Sequence, residues 1–522
     1  METPPDEKMQ KTDLEVASKS LGSEDVVPGS LEEQQKTKVE SIRERFAVLR
    51  FAHGIEIFLD KKVGMETQGI DRMAEDERRN PPMWNVFVLW CGSNICVQTL
   101  PFGVLGPELG LSLHLSIAAI VVGSLLGAAC TAFTSSLGPK LGLRTIAAAR
   151  YSFGFYGAKL CACITIIVNV GFTVIGVVVA GQILSAVSDY KMTLSVGIAI
   201  SSILSYLVTV LGLSIIHTFE RYAWIPSIIL FLVLIGQASA HVSPSTPSST
   251  EGLELAAIFL SYMAIIFAYA SGWAPIAADY FCSYPSTTPQ WKIFVLSWSG
   301  LSTACIFSIS IGACVGSAAM VYAPYTDAYN EYGFGALIST VYHPVGWSKF
   351  ALVVFSFTVI GQNTIMIYSN GLAAQLLGDY FHAVPRFIWS FVVICAVLLL
   401  ALIGRAHLSE IITDFVGLLG YWAVAFATIV LIEDQVFRRR RGYDLRVWDD
   451  AKLLPVGAAA VTSLLIGYCA GGITGMDQTW YVGPIARTFG GMGGDVGTFL
   501  SFGFTCVSYP ILRTIEMRVT GK

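Results

Sequence analysis

Charged side chains are scarce in this sequence, since Asp, Glu, Lys and Arg make up only 13% of its 522 residues. Soluble globular proteins carry about 25%. Residues 1–82 hold 31 of the 70 charged side chains, so the remaining 440 residues are poorer still. This shortage excludes a water-soluble multidomain enzyme, and it predicts that the chain after Pro82 lies in a lipid bilayer.

The sequence also lacks the patterns that usually mark a metal, a disulfide or a phosphate site. None of its 11 cysteines forms a C-x-x-C pair, and no Lys-Ser/Thr follows the glycine-rich run at 490–494. The net charge of −4 provides no broad basic surface, so nucleic acid is not an expected partner. Since the sequence suggests no nucleophile–base pair either, we expect no enzyme activity, no catalytic residue, no metal and no cofactor.

What the sequence does contain is a series of long apolar runs with short polar breaks, and 54% of all residues are hydrophobic. A helix needs about 20 apolar residues to cross a bilayer. We therefore predict an all-α, polytopic membrane protein with twelve transmembrane helices. The predicted spans, numbered from the N-terminus, lie near residues 83–106, 113–137, 157–187, 192–212, 222–241, 254–277, 292–322, 347–376, 385–403, 407–433, 454–474 and 495–514.

The composition divides the chain into six segments. Residues 1–40 are rich in Glu, Lys, Ser and Gln, which predicts a disordered cytoplasmic tail. The cytoplasmic juxtamembrane segment 41–82 mixes charged and apolar residues, as a surface helix does. The other four segments are spans 1–5 (83–241), spans 6–10 (254–433), a basic cytoplasmic linker (434–453), and spans 11 and 12 with a short cytoplasmic C-terminus (454–522).

Basic residues in the short loops predict the orientation, because Lys and Arg accumulate on the cytoplasmic side of a membrane. With the N-terminus inside, sixteen Lys and Arg lie in the inner loops and the C-terminus, against four outside. Both termini are therefore expected in the cytoplasm. The arginine run at 438–441 directly follows span 10 and is expected to contact anionic lipid head groups.

Spans 1 and 6 carry helix-breaking residues near their middle, at 92–94 (GSN) and 271–275 (SGWAP). Hydrocarbon cannot satisfy the backbone groups that such breaks release, so protein or a water-filled cavity must do so. Because the two breaks lie five spans apart, they indicate a five-plus-five inverted repeat with a binding site at the bilayer midplane, as in secondary transporters. The alternative is that both are kinks that serve helix packing.

Four stretches carry a family resemblance: GMETQGIDRMAEDERRNPPMWNVFVLW, GPKLGLRTIAAARYSFGFYGAKL, IIHTFERYAWIP and SGWAPIAADYFCSYP. Together they resemble the fungal purine–cytosine permeases of the nucleobase–cation symporter-1 family, and the similarity covers essentially everything after residue 60. The resemblance implies twelve spans, the five-plus-five repeat and alternating access. It also implies a plasma-membrane permease that imports purines, cytosine or a related nitrogen heterocycle with protons.

The same resemblance suggests which residues bind the substrate. Family members hold a flat heterocycle between an aromatic residue on span 3 and a tryptophan on span 6, which correspond to Phe172 and Trp273, beside Gly272. Two flanking rings suit a planar π-system. Helix packing, or hydrogen bonds between helices, is the structural alternative for each candidate. The polar candidates are Ser93 and Asn94 on span 1, and Asn363, the first choice, and Gln362 on span 8.

Several positions depart from the family pattern. Gly92 stands where serine is usual, Phe172 and Gly176 replace the usual Trp and Asn on span 3, and Met366 replaces a second Asn on span 8. Sites that hydrogen-bond their substrate discriminate sharply, so these changes favour a larger or less polar heterocycle, such as a vitamin-like ring or a secondary metabolite. A membrane sensor that binds without transporting is the alternative from another class.

Proton coupling requires a titratable group near the path. Three carboxylates are candidates, namely Asp414 inside span 10, and Glu220 and Asp279 near cytoplasmic ends, where a solvated or Arg-paired carboxylate is the alternative. Sodium is not expected, because the resemblance places Ile360 and Gly361 where sodium-coupled relatives use hydroxyl groups. The expected partners are thus a small heterocyclic substrate, protons and the lipid bilayer.

Overall fold

The computed structural model describes residues 31–63, 69–79, 81–211, 213–491 and 493–522, and these are mostly helical. A small antiparallel hairpin pairs strand Asp477–Gln478 with strand Tyr481–Val482. The helices at the predicted spans are Trp84–Asn94 with Leu100–Glu108, Leu113–Leu141, Arg150–Val187, Leu194–Leu211, Leu213–Ala238, Gly252–Ser271, Gln290–Ala319, Val345–Gln375, Arg386–Gly404, Leu408–Phe437, Ala458–Ile473 and Gly497–Thr520. The other helices are Leu31–Arg45, Ala47–Val63, Thr145–Ala148, Ala323–Tyr332, Phe334–Val341 and Asp379–Ala383.

Within the described residues, seven helices are long and apolar enough to cross a membrane, and the bent pair in span 1 raises this number to eight. Three further apolar helices are shorter, at Leu194–Val210, Trp224–Ala238 and Ala458–Ile473. The predicted all-helical, polytopic architecture is confirmed. The exact count of twelve spans stays a prediction.

Span 1 is interrupted where the sequence predicts it. Helix Trp84–Asn94 and the following segment Val97–Glu108 are bent by 62° relative to each other, because the chain leaves the helical conformation at Ile95. The break releases the Asn94 carbonyl oxygen, which accepts a 3.4 Å hydrogen bond from the Ser308 hydroxyl of span 7. A protein group, rather than hydrocarbon, therefore satisfies the released backbone.

Span 6 is also interrupted, but its second half is shorter than predicted. Helix Gly252–Ser271 ends at the predicted break, and turns with a short 3-10 helix at Ala277–Tyr280 follow. Pro275 lacks an N–H group and therefore cannot continue the helical hydrogen bonds. Just before the break, the Thr131 hydroxyl of span 2 donates a 2.7 Å hydrogen bond to the Ala270 carbonyl oxygen.

Glycines allow the second half of span 1 to lie directly on span 7. A Cβ atom at Gly103 would come within 2.0 Å of the Ile309 carbonyl oxygen, and one at Gly312 within 2.2 Å of the Leu100 carbonyl oxygen. Small residues are the usual means of such close approach between membrane helices. This packing sets the position of the chain that follows the break.

The structure describes only the last part of the predicted N-terminal tail. Residues 1–30 lie outside the described residues, whereas Leu31–Arg45 is helical, although the prediction placed disorder up to residue 40. This helix docks on the segment Asp379–Ala383, where Arg43 Nε donates a 3.2 Å hydrogen bond to the Ala383 carbonyl oxygen and Lys38 pairs with Asp379. Composition alone does not reveal a docking partner so distant in the sequence.

The predicted basic linker at 434–453 is folded onto the ends of spans 2 and 3. Lys140 of span 2 pairs with Asp434 at 2.6 Å. Arg438 pairs with the buried Glu433 at 2.8 Å, so this first arginine of the basic run serves a protein contact. The following three arginines, 439–441, are exposed.

Candidate substrate site

Asn94 joins the two interrupted spans. Its side-chain oxygen Oδ1 accepts a 3.0 Å hydrogen bond from the Tyr269 hydroxyl and a 3.1 Å hydrogen bond from Trp273 Nε1. Asn94 Nδ2 donates to the Trp90 carbonyl oxygen at 3.1 Å, which turns Oδ1 toward span 6. All four side chains are buried. Two residues predicted from the sequence, Asn94 and Trp273, are therefore in direct contact.

Gln362 links span 8 to both interrupted spans. Cys96 Sγ donates a 2.6 Å hydrogen bond to Gln362 Oε1, and Gln362 Nε2 donates a 3.2 Å hydrogen bond to the Tyr269 hydroxyl oxygen. With Asn94 and Trp273, these residues form a continuous hydrogen-bonded chain, which we call the break network. Both ends of the Gln362 carboxamide thus have protein partners, and the side chain holds three spans together.

Aromatic rings surround Gly272 at the break of span 6. A Cβ atom at Gly272 would lie 2.8 Å from Phe172 Cε2, so the Phe172 ring rests directly on the break. The Phe172 and Tyr269 rings are edge-on with centroids 5.9 Å apart, and the Trp90 and Trp273 rings are edge-on at 5.7 Å. Phe172 and Trp273 therefore border the same glycine, and each also packs against another ring.

Asn363 and Gln98 present polar atoms beside Gly176 of span 3. A Cβ atom at Gly176 would lie 2.2 Å from Asn363 Oδ1 and 2.6 Å from Gln98 Oε1. Both side chains are 1% exposed. Within the described residues, Asn363 Oδ1, Asn363 Nδ2 and Gln98 Oε1 lack a hydrogen-bond partner. A buried polar atom without a partner is costly, so these are the atoms that a bound polar ligand would satisfy.

The other sequence candidates on spans 1 and 8 make local contacts. Ser93 Oγ donates a 2.8 Å hydrogen bond to the Leu89 carbonyl oxygen within its own helix. Gly92 lies in the same helix, two residues before Asn94. Met366 is 4% exposed and belongs to the hydrophobic core.

The three carboxylates predicted for proton coupling have different surroundings. Asp279 follows span 6, and its Oδ1 atom accepts hydrogen bonds from the Thr145 backbone N–H at 2.8 Å and from the Thr145 hydroxyl at 3.2 Å. Burial raises the pKa of the Asp279 carboxyl to about 6, although a nearby guanidinium and these hydrogen bonds act in the opposite direction. Asp414 accepts hydrogen bonds from Thr479 of the hairpin. The Glu220 side chain lies outside the described residues.

A cavity lies at the ends of the spans that the predicted orientation places outside. Its volume is about 610 Å³, and Glu108 of span 1, Gln182 of span 3 and Ser409 of span 10 contribute to its walls. The Glu108 carboxylate accepts hydrogen bonds from Ser409 Oγ at 3.2 Å and from the Tyr329 hydroxyl at 3.1 Å. Polar groups from three parts of the chain therefore meet at this opening.

The opposite, predicted cytoplasmic end is closed by a group of contacts that we call the inner network, formed by Gly69, Arg144, Thr145, Asp279 and Tyr368. Arg144 Nε donates a 2.9 Å hydrogen bond to the Gly69 carbonyl oxygen, and Arg144 Nη2 lies 3.4 Å from the Tyr368 hydroxyl. Together with the bonds between Thr145 and Asp279, these contacts tie the segment before span 1 to the chain just before span 3, to the chain just after span 6, and to span 8. The inner network and the cavity beside Glu108 and Gln182 therefore lie at opposite ends of span 3.

The sequence reasoning missed three residues of this region, namely Cys96, Gln98 and Tyr269. Cys96 and Gln98 lie in the irregular segment directly after the predicted break of span 1, and Tyr269 precedes Trp273 by four residues. These residues could have been found as polar side chains within one helical turn of a predicted break. Because the backbone groups at a break need polar surroundings, polar side chains next to it are expected to face the same site.

Comparison with known proteins places the chain in a family. Residues 73–450, more than half of the chain, match a family described as permeases for cytosine/purines, uracil, thiamine and allantoin. The purine-cytosine permease fcyB of Emericella nidulans is 32% identical over 469 residues, which cover 89% of this chain and 91% of that protein. The vitamin B6 transporter TPN1 of Saccharomyces cerevisiae is 31% identical over 538 residues, which cover 91% of this chain and 92% of that protein.

Solved structures share the fold. Mhp1, a nucleobase-cation-symport-1 family transporter in a closed conformation with bromovinylhydantoin bound, has a TM-score of 0.63 at 14% identity. The match covers 87% of this chain and 96% of Mhp1. An inward-facing structure of Mhp1 gives the same TM-score. The chain therefore belongs to the family of permeases for cytosine/purines, uracil, thiamine and allantoin, and it is a multi-pass membrane transporter rather than an enzyme.

Proposed function

We propose that this permease imports a planar nitrogen heterocycle of the purine or cytosine type together with protons. Transport is across the plasma membrane, with both termini in the cytoplasm. The observation that carries the proposal is the convergence of rings and carboxamides at the two interrupted spans. Phe172 and Trp273 border Gly272, and two buried carboxamides, from Asn363 and Gln98, face Gly176.

A flat ring with a polar edge suits this arrangement. The faces of the heterocycle gain contact area and favourable ring geometry against Phe172 and Trp273. Its edge binds the Asn363 carboxamide, while Asn94 and Ser93 lie at the break of span 1. The purine-cytosine permease of Emericella nidulans, which is similar over most of the chain, supports this class of substrate.

Alternating access accounts for passage through the site. In the proposed cycle, the substrate enters through the cavity beside Glu108 and Gln182 and reaches the break network. The spans of one bundle then rock against the others, as in transporters with inverted repeats. Opening of the inner network around Arg144 and Asp279 releases the substrate to the cytoplasm.

Asp279 is the best supported of the three carboxylates for proton coupling. It lies directly after the interrupted span 6 and, through Thr145, holds the inner network together. Burial raises the pKa of the Asp279 carboxyl to about 6. This pKa lies between the pH of an acidic exterior and that of a neutral cytoplasm, so the carboxyl would be protonated outside and ionised inside. Sodium coupling is disfavoured, since Ile360 and Gly361 stand where sodium-coupled relatives use hydroxyl groups, and neither residue supplies a hydroxyl ligand.

Vitamin B6-type heterocycles are the second candidate cargo. The vitamin B6 transporter of Saccharomyces cerevisiae resembles this chain about as closely as the purine-cytosine permease does. Gly176 and Met366 replace two amide side chains that would otherwise read a nucleobase edge. An exchange of amide groups for smaller or apolar ones favours a ring with fewer polar atoms.

An uptake competition panel tests both proposals. The chain is expressed in yeast cells that lack their own nucleobase and vitamin B6 permeases, and uptake of labelled cytosine, adenine, hypoxanthine and pyridoxine is measured at external pH 5 and pH 7. We expect saturable uptake of at least one compound, faster at pH 5. Purified protein in vesicles provides the same measurement without cellular metabolism.

Each outcome separates the alternatives. Uptake of cytosine or a purine, with competition among them, supports the first proposal, whereas uptake of pyridoxine alone supports the second. Binding without flux in vesicles would instead support a sensor. Equal uptake at both pH values, with an unchanged response to a proton gradient, would contradict proton coupling.

A further inference from the structure

Gln98 lies at the centre of the site although no family motif points to it. It belongs to the 3-10 turn Val97–Thr99, directly after the break of span 1. Its side chain is 1% exposed, and it reaches across to span 3. A buried carboxamide on an irregular turn inside a membrane protein needs several hydrogen-bond partners. The groups around Gln98 therefore show which of its polar atoms are satisfied by the protein and which are left for a ligand.

The orientation of the Gln98 carboxamide is set by span 3. Gln98 Nε2 donates a 3.0 Å hydrogen bond to the Phe172 carbonyl oxygen. A backbone carbonyl accepts and cannot donate, so the nitrogen must face Phe172 and the oxygen Oε1 must point away from it. Oε1 is consequently an acceptor that faces Gly176.

Asn363 directs a second acceptor to the same point. A Cβ atom at Gly176 would lie 2.2 Å from Asn363 Oδ1 and 2.6 Å from Gln98 Oε1, so both oxygens converge on the space that glycine leaves open. Hydrogen bonding fixes the direction of Gln98 Oε1 alone, because neither end of the Asn363 carboxamide has a partner among the residues that the structure describes. In the orientation that the structure shows, the two oxygens cannot bond to each other, and both require donors. In the described part of the chain neither oxygen has such a donor.

We propose that Gln98 is a specificity-determining residue whose Oε1 atom, with Asn363 Oδ1, accepts hydrogen bonds from the N–H edge of the transported heterocycle. This inference rests on the proposed import of a nitrogen heterocycle and specifies which edge of the ring faces span 3. The ring lies next to Phe172 and presents a ring N–H, an exocyclic NH2 group, or both, toward Gly176. A heterocycle methylated on those nitrogens is rejected.

A purely structural role for Gln98 predicts a different result. In that case the side chain only holds the Phe172 backbone through Nε2, and its replacement weakens the binding of every cargo by the same factor. A role as acceptor weakens the binding of a cargo that donates hydrogen bonds and spares its methylated analogue. The ratio of the two inhibition constants therefore separates the roles, and it is insensitive to the amount of protein in the membrane.

The experiment measures inhibition constants against whichever labelled compound the wild type imports among cytosine, adenine and pyridoxine. Each parent is compared with an analogue whose donor nitrogen is fully blocked, namely N4,N4-dimethylcytosine, N6,N6-dimethyladenine or N1-methylpyridoxinium. Gln98→Met removes the acceptor and the donor at nearly constant size, while Gln98→Glu keeps acceptor oxygens but loses the donor to Phe172. Asn370→Leu is the matched control, because Asn370 is a buried span 8 carboxamide whose side-chain atoms have no hydrogen-bond partner among the described residues.

We expect the wild type and Asn370→Leu to favour the parent over the analogue by roughly tenfold, which corresponds to about 1.4 kcal/mol. The ratio should fall toward one in Gln98→Met and stay near the wild-type value in Gln98→Glu. An unchanged ratio in Gln98→Met, or an equal loss in both Gln98 variants, would overturn the inference while the proposed function stands. If the wild type imports none of the three compounds, the proposed function fails, and the inference fails with it.

Discussion

Gly176 offers the sharpest single perturbation of the site. Substitution by alanine adds one methyl group to span 3 at the point where the Asn363 and Gln98 oxygens converge. The added Cβ would lie 2.2 Å from Asn363 Oδ1, whereas ordinary contact begins near 3.4 Å. Both carboxamides must therefore swing away from the space that they share, and a cargo bound there loses its acceptors.

The size of the effect follows from the two hydrogen bonds at stake. Each neutral hydrogen bond contributes about 0.5–1.5 kcal/mol, so the loss of both weakens binding by roughly five- to hundredfold. The protein itself should not be destabilised. Alanine is favoured over glycine in a helix by about 0.5–1 kcal/mol, and the two displaced groups are the ends of side chains rather than backbone.

The assay combines uptake kinetics with thermal stability in detergent. Gly503→Ala in span 12 is the matched control, because a Cβ atom at Gly503 would meet nothing within 4 Å. We expect Gly176→Ala to raise KM by roughly five- to hundredfold with an unchanged or higher Tm, and Gly503→Ala to leave KM unchanged. A KM for Gly176→Ala within about twofold of the wild type would show that Gln98 and Asn363 do not bind the cargo, since the methyl group would then not disturb any group that contacts it.

Three further variants test other parts of the structure. Trp273→Phe keeps a ring but removes the donor to Asn94, so we expect KM to rise about fivefold; an unchanged KM in uptake assays would argue against the break network. The Asp279 carboxyl is neutral below its pKa of about 6 and ionised above it, so wild-type uptake should fall as pH rises from 5 to 7, whereas Asp279→Asn should show little pH dependence. Glu433→Gln removes the charge that pairs with the buried Arg513, which should cost about 3–5 kcal/mol and lower Tm in detergent without changing cargo preference.

Local chemistry made the interruptions predictable. The residues at 92–94 and 271–275 break helices through their own backbone properties, and the structure interrupts spans 1 and 6 at those positions. The shortness of the helix after the break of span 6 could not be predicted from local residues in the same way. It depends on how Ala278 and Asp279 dock on Thr145, which lies far away in the sequence.

Contacts between spans could not be predicted from the sequence alone. Nothing in the pattern around Asn94 indicates that its oxygen meets Tyr269 and Trp273, because that contact depends on how two helices cross. Gln98 was missed for a related reason: it sits on an irregular turn, where helical periodicity does not predict the direction of a side chain. The docking of helix Leu31–Arg45 on the segment Asp379–Ala383 likewise joins residues that are far apart in the sequence.

We infer that the cargo binds where the two interrupted spans meet. A cryo-electron microscopy map of the purified protein, with the imported compound at saturating concentration, tests it directly. We expect density for a flat ring bordered by Phe172, Trp273 and Asn363, with its edge toward Gly176. Ring density confined to the cavity beside Glu108, with the space around Gly176 unchanged, would contradict it.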